Sequence, residues 1–335
     1  MRLPVAQAFG SPYRAGRACG EAFATGIDNA LAFFTENPEA LGRPLQDAVS
    51  RLTPYVDRAR GAFPDLVQEM EGMADGAGVE FEAIAMLNCV EELWPSVEAC
   101  TTIRCGRFLL HAEQWYAGHS DTGVVMQMPP DGPAFISPTV AGCLPAVGLS
   151  AAGFAQGIDS LRGRDDRVGV PRVLVSRACL GARSLDEAIS IATMPGRAGG
   201  YAHTFVTADD GLVVETTSNG HGCSRTLNAH ANHYIVMHTE EEPSEGSLSR
   251  QRRAIELLND PPKTLQDCMR VLSDHIGGPQ SICLHEDNPV LDATVFGMVC
   301  DLASKIIAVS DGPPCRGRWS HFSLFDTSML AGRVG

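Results

Sequence analysis

The feature that most constrains the fold is a change of pattern at residue 100. Before it, small and apolar residues recur at helical spacing over residues 13–34, 45–62, 65–76 and 81–88. Gly16 and Gly20, four apart, permit a close backbone approach, and Pro64-Asp65 is a helix start signal. After it come short apolar runs between Gly, Pro and Asp turns, as in Phe108-Leu109-Leu110, Gly123-Val124-Val125-Met126 and Ala134-Phe135-Ile136, which read as strands. Helical pairs are expected over 170–182 with 184–192, where Ser184 caps the second, and over 246–258 with 264–275. Further strands are expected at 204–206, 212–214 and 234–236, with a closing hairpin of 294–299 and 305–309. This order predicts an α+β chain, two antiparallel sheets sandwiched between helical layers. No repeat, linker or low-complexity tract divides it.

Composition narrows the partners. At 335 residues and 44% hydrophobic content, the chain buries a sizeable core as one large or two smaller domains. Its 40 acidic against 26 basic residues give a formal charge of −14, which argues against nucleic acid and anionic membrane surfaces and leaves small molecules as clients. The first ten residues hold no long apolar run, and no stretch of eighteen is uninterrupted by polar residues, so neither a secretion signal nor a span is expected. Eleven cysteines, an odd number with no CxxC pair, fit reduced thiols in a cytoplasmic setting. Cys19, Cys89, Cys143, Cys179 and Cys268 read as small core residues.

Cys100 stands apart, where a helix ending near Leu93-Trp94-Pro95 hands over to the strand Thr101-Thr102-Ile103. By itself Ala99-Cys100-Thr101-Thr102 reads either as a buried cysteine in a strand or as the cleavage site of a self-cleaving amidohydrolase precursor. In such a precursor the thiol attacks the Ala99 carbonyl, an N-to-S acyl shift gives a thioester, and water frees Cys100 as a new amino terminus. One residue then supplies nucleophile and base: its α-amine titrates near about 7.7–8.0 and a free thiol near about 8.5, so no catalytic histidine is needed.

Met86-Leu87-Asn88, Glu92 and Cys100-Thr101-Thr102 resemble the acyl-coenzyme A:6-aminopenicillanic acid acyltransferase family of N-terminal nucleophile hydrolases. So do, in order, Gly16-x3-Gly20, Gln114-Trp115, residues 148–153 (Gly-Leu-Ser-Ala-Ala-Gly), Gly169-Val170-Pro171, His230-Ala231-Asn232-His233, Ser281-Ile282-Cys283 and Ala293-Thr294-Val295-Phe296. The resemblance implies a four-layer αββα fold and cleavage between Ala99 and Cys100, so that chains of 99 and 236 residues stay together as one domain and a heterodimer. It makes Cys100 the nucleophile and Asn232 the side-chain donor to the oxyanion, and leaves the Tyr116 backbone N–H as a second donor. Where a member of that family has an acid, this chain has Tyr116, and where it has an arginine, Leu291, so a penicillin-type substrate does not follow. Glu113, Asp121 or Asp292 is expected to supply a replacement carboxylate.

Other residues are placed by their surroundings. Trp115 walls the pocket, Thr101 and Thr102 either assist processing or are plain β-branched strand residues, and His203 and His285 line or orient. Glu92 either strains the segment before the cleaved bond or is an exposed helix-end carboxylate. His230 and His233, three apart on an expected strand, point to opposite faces and hold no metal. The expectation is an enzyme needing no cofactor: a self-processed cysteine amidohydrolase for a small linear amide, with acyl transfer as the alternative reaction and a homo-oligomer allowed. The rivals are an uncleaved thiol hydrolase using Cys100 with His203 or His285, and a binding protein that kept the fold without the chemistry.

Overall fold

The computed structural model describes residues 3–94 and 100–324. In chain order these form β1 (Val5–Phe9), α1 (Pro12–Glu36), α2 (Leu45–Val49), α3 (Thr53–Ala62), α4 (Pro64–Ala77), α5 (Phe81–Leu87), α6 (Val90–Leu93), β2 (Thr101–Cys105) and β3 (Phe108–Tyr116). There follow β4 (Thr122–Met128), β5 (Phe135–Val140), β6 (Gly148–Ser150), β7 (Phe154–Leu161), α7 (Arg172–Leu180), α8 (Leu185–Ala192), β8 (Gly200–Val206), β9 (Gly211–Thr216) and β10 (His221–Ser224). The remainder is β11 (Ala229–His230), α9 (Glu245–Leu257), α10 (Leu265–Leu272), β12 (Asp292–Asp301), β13 (Ile306–Ser310) and β14 (Trp319–Ser323).

The strands build two sheets, one ordered β1-β4-β5-β6-β7-β8-β9-β10 and the other β11-β2-β3-β12-β13-β14. They pack face to face through β2, β3 and β12 against β5 to β8. Helices α7 and α8 cover the first sheet, α9 and α10 the second, which gives the expected αββα layering. A continuous apolar core runs from Phe34, Met73 and Leu87 through Val124 and Phe154 to Phe296, so the helical first hundred residues and the strands share one interior.

Four details depart from expectation. The chain opens on a strand, and β1 pairs parallel with β4, so the first sheet is not wholly antiparallel. Residues 45–62 break into α2 and α3 because Pro54, lacking an N–H, belongs in a first helical turn and starts a new helix. β14 extends the closing hairpin to three strands. Residues 234–236 form no strand: the N–H groups of Ile235, Val236 and Met237 turn instead to the Glu215 carboxylate, at 2.7–3.0 Å.

Ser11 caps α1, its hydroxyl accepting from Arg14 N, with Pro12 in the first turn. Helix α1 then crosses α4 at the glycines. A Cβ on Gly16 would lie 1.8 Å from Glu69 O, one on Gly20 2.1 Å from Met73 O, and one on Gly72 1.9 Å from Tyr13 O. These positions have no room for a methyl group. Gly61 in α3 has nothing within 4 Å of such a carbon. Gly16→Ala is therefore expected to lower stability by more than about 2 kcal/mol by forcing the helices apart. Gly61→Ala is expected to raise it by about 0.4–1 kcal/mol through the unfolded state. Urea midpoints of the two variants check the pair.

Candidate active site

The site is built around the first residue of the second sheet's central hairpin. Strand β2 lies between β3 and β11, with Thr102 opposite both His111 and His230. That places Cys100, just before β2, at the mouth between the sheets and only 7% exposed. Its backbone N–H donates to Asn232 Oδ1 at 3.0 Å. Its thiol stands 3.5 Å from Glu113 Oε1 and 3.9 Å from Gln114 O. Ala99, on the other side of the expected cleavage, lies outside the described residues.

Arg250 completes this arrangement and was not anticipated. Its guanidinium donates to Cys100 O, to Thr101 Oγ1 at 2.9 Å and to Asn232 Oδ1 at 2.8 Å. A signal existed: Ser247, Arg250, Gln251 and Ala254 form the buried stripe of α9, so a charged residue stands in core-facing phase on an amphipathic helix. Because Arg250 only donates, Asn232 must turn its oxygen toward Arg250 and Cys100. The Asn232 amide nitrogen donates to Ser160 O at 3.1 Å, and its backbone N–H to Ser247 Oγ at 2.7 Å.

A buried polar seam between the sheets fixes the loop that carries Asn232. His230 Nε2 meets Glu215 Oε1 at 2.9 Å, with Glu215 also holding the amides of residues 235–237. Burial opposes charge on both, yet their mutual hydrogen bond holds the carboxyl low and the imidazole high, so the ion pair is the stable state. Asp159 lies 3.8 Å from His230 Nδ1, and neither of its oxygens has a hydrogen-bond partner among the described residues. Burial pushes its carboxyl up to about 6. Gly157 gives β7 room beside β2, since a Cβ there would meet Thr102 Cγ2 at 2.7 Å.

The Cys100 thiol is pushed well above its usual range, first by burial and then by the charges of Glu113 and Asp159. It rests as a thiol and needs a base when it reacts. Glu113 is oriented for that contact, since His111 bridges Thr102 Oγ1 through Nδ1 and Glu113 Oε2 through Nε2, each at 2.9 Å. Cys100, His111 and Glu113 offer ligand atoms within 4.8 Å of one another, but hydrogen bonds occupy both imidazole nitrogens. An imidazole so committed does not form a dyad with the thiol, whose partners are Glu113 and Gln114, while His203 stacks on Phe205 and His285 meets His275.

Glu113 and Trp115 reach from β3 into a cavity of about 70 Å³. Its wall is mainly apolar, with Leu87, Val90, Leu144, Val147, Ile158 and Phe296 around it. Tyr116 does not join them: strand alternation sends it to the other face, where its hydroxyl donates to Ala40 O at 2.7 Å and its ring packs on Phe33 and Phe34. His203 is also absent from that wall. It is buried against Phe205, with Nδ1 unpartnered among the described residues, and burial pushes it down to about 3, so it is neutral. His285 is exposed and meets His275, Cys283 and Cys315 instead. Of the candidate carboxylates only Glu113 touches the thiol; Asp121 accepts from Asn29, and Asp292 pairs with Tyr116 at the far end of β3.

Thr101 is an acceptor for Arg250 and Thr102 for His111 or its donor, so both do more than fill a strand. Glu92 is not exposed. Its side chain, 3% accessible, accepts from Arg172 N at 2.9 Å and faces the Arg172 guanidinium at 3.5 Å, and burial pushes its carboxyl up to about 7. His230 ends β11 and His233 follows it, where its Nδ1 meets Ser247 Oγ at 2.7 Å; the two do not converge.

Arg250→Ala leaves Cys100 O, Thr101 Oγ1 and Asn232 Oδ1 each short of a donor in a buried site. A loss of about 3–5 kcal/mol is expected, against less than about 0.5 kcal/mol for exposed Arg252→Ala on the same helix. Urea unfolding of both variants checks it.

No helix among the described residues is long and apolar enough to cross a membrane. A search of curated proteins found no match. Among solved structures, the chain is similar to penicillin V acylase from Agrobacterium tumefaciens, at 12% identity and TM-score 0.46 over 68% of this chain and 86% of that one. It is similar to the Caenorhabditis elegans ortholog of N-acylethanolamine-hydrolyzing acid amidase, at 12% identity and TM-score 0.43 over 62% and 93%. A variant of conjugated bile acid hydrolase from Clostridium perfringens gives 9% identity and TM-score 0.46 over 68% and 93%. The family model for acyl-coenzyme A:6-aminopenicillanic acid acyl-transferase matches residues 103–314, well over half the sequence. The chain belongs to that acyl-transferase family.

Proposed function

We propose that this chain is a self-processing cysteine amidohydrolase that cleaves a small N-acyl amine through an S-acyl intermediate on Cys100. The observation that carries the reading is the double hold on one residue: the Cys100 nitrogen on Asn232, the Cys100 thiol beside Glu113. Before cleavage there is no free amine, and Glu113 is the group within reach to take the thiol proton. The thiol adds to the Ala99 carbonyl, the Ala99–Cys100 C–N bond breaks as the nitrogen gains a proton, and water hydrolyses the thioester.

In turnover the freed amine takes over as base. The thiol gives it a proton and adds to the substrate carbonyl. The amide of Asn232 has two hydrogens, one donated to Ser160 O, and the second is available to the oxyanion. Collapse expels the substrate amine, which leaves with the proton from the Cys100 ammonium, and water then releases the acid. The apolar cavity wall suits an acyl group, and the half-buried Glu91 and Glu113 at the same cavity favour a leaving group that carries hydrogen-bond donors. Hydrolysis is preferred to transfer, and since the same carboxylates would also receive an amine acceptor, the products decide between the two. The two cleaved chains are proposed to remain one heterodimer, since they share the apolar core.

The test is acid quenching of the enzyme with a panel of N-acyl amines. A mass gain of one acyl group on the Cys100-bearing chain is expected, absent in Cys100→Ser, with free acid as product. The rate is expected to fall as pH drops below the amine's titration, at or under about 8. Faster formation of a new amide with added amine would make the enzyme a transferase. No adduct and no turnover across the panel would overturn the reading.

A further inference from the structure

Four side chains with metal-binding atoms converge outside the site just described. His275 follows α10, Cys283 and His285 lie in the connection to β12, and Cys315 sits in the turn Pro314–Arg316 between β13 and β14. Their ligand atoms all lie within 4.8 Å of one another. His285 Nε2 is the hub, 3.2 Å from His275 Nε2, 3.2 Å from Cys315 Sγ and 3.8 Å from Cys283 Sγ. An imidazole nitrogen has one hydrogen or one lone pair, so a single hydrogen bond uses it up. Three heteroatoms around one such nitrogen are not explained by hydrogen bonding.

A tetrahedral cation explains them. With Zn–N near about 2.0–2.1 Å and Zn–S near about 2.3 Å, tetrahedral ligands stand about 3.3 Å apart for N and N, and about 3.5 Å for N and S. We propose that His275, Cys283, His285 and Cys315 form a structural zinc site. Two thiolates neutralise a divalent cation, and four protein ligands close the shell against substrate, as in structural rather than catalytic zinc. The sequence hides it because the ligands follow no paired spacing.

The site braces the connection between α10 and β12. Cys283 N also donates to Asp274 O at 3.0 Å. Gln114 Nε2 donates to Ser281 O and Ile282 O, at 3.2 and 2.9 Å, while the Gln114 carbonyl faces the Cys100 thiol. A zinc clamp thus steadies the segment that fixes β3 behind the nucleophile.

The test uses the full chain purified under reductant from zinc-supplemented medium. About one zinc per chain is expected by elemental analysis, and the cobalt-substituted protein should show a sulfur-to-cobalt charge-transfer band. Chelation should lower the wild-type Tm and added zinc restore it, while the Tm of Cys283→Ser/Cys315→Ser should not respond. Because that double variant alters a buried residue and can misfold, exposed His275→Ala provides a second arm, with at least about tenfold weaker zinc affinity expected in chelator competition. The proposal is overturned by wild-type chain that neither holds zinc nor is stabilised by it, by a folded double variant that keeps its zinc, or by zinc-free protein with Cys283 and Cys315 joined as a disulfide. These readouts do not depend on catalysis, so they fail or succeed separately from the amidohydrolase reading.

Discussion

One buried amide oxygen organises the centre of this molecule. Asn232 Oδ1 accepts from the Cys100 nitrogen and from Arg250 at once, tying the head of β2 to helix α9. Through its nitrogen the same side chain reaches Ser160 on β7, so both sheets and one helical layer meet at a single group. Hydrogen bonds to a charged donor contribute about 1.5–3 kcal/mol each, and an unmet buried partner costs a comparable amount. The arrangement is therefore stable only when all its members are present, and that requirement fixes the position and direction of Cys100.

The seam behind it has the same character. His230, Glu215, Asp159, His111 and Thr102 are all buried between two sheets whose facing strands are otherwise mostly apolar. Glu215 repays its burial by taking four N–H groups, one from His230 and three from the loop beyond Asn232. Asp159 is the exception, a carboxyl with no hydrogen-bond partner among the described residues and a raised proton affinity. Its charge adds to the cost of forming a thiolate at Cys100, after burial and the charge of Glu113.

The layers, most helices and the place of Cys100 at the head of a strand were legible because they are local or ordered along the chain, in apolar period and turn residues. Glu113 and Trp115 line the same cavity from β3, and the Tyr116 side chain turns to the other face, which leaves the expectation for its backbone N–H untouched. What the sequence concealed depends on distant partners. Residues 234–236 look like a strand until Glu215 captures their amides, and His285 looks like a pocket residue until His275, Cys283 and Cys315 gather around it. Arg250 lay between these cases, visible as a charge in the buried phase of α9 but with no sign of its target.

The central claim is that Cys100 becomes the first residue of a mature subunit, giving thiol and amine to one carbon skeleton. Amino-terminal sequencing joined to intact-mass analysis of freshly purified active protein tests it most directly. The account predicts two chains, one beginning at Cys100, and a single uncut chain for Cys100→Ala. Active wild type that yields only one chain of all 335 residues would contradict it.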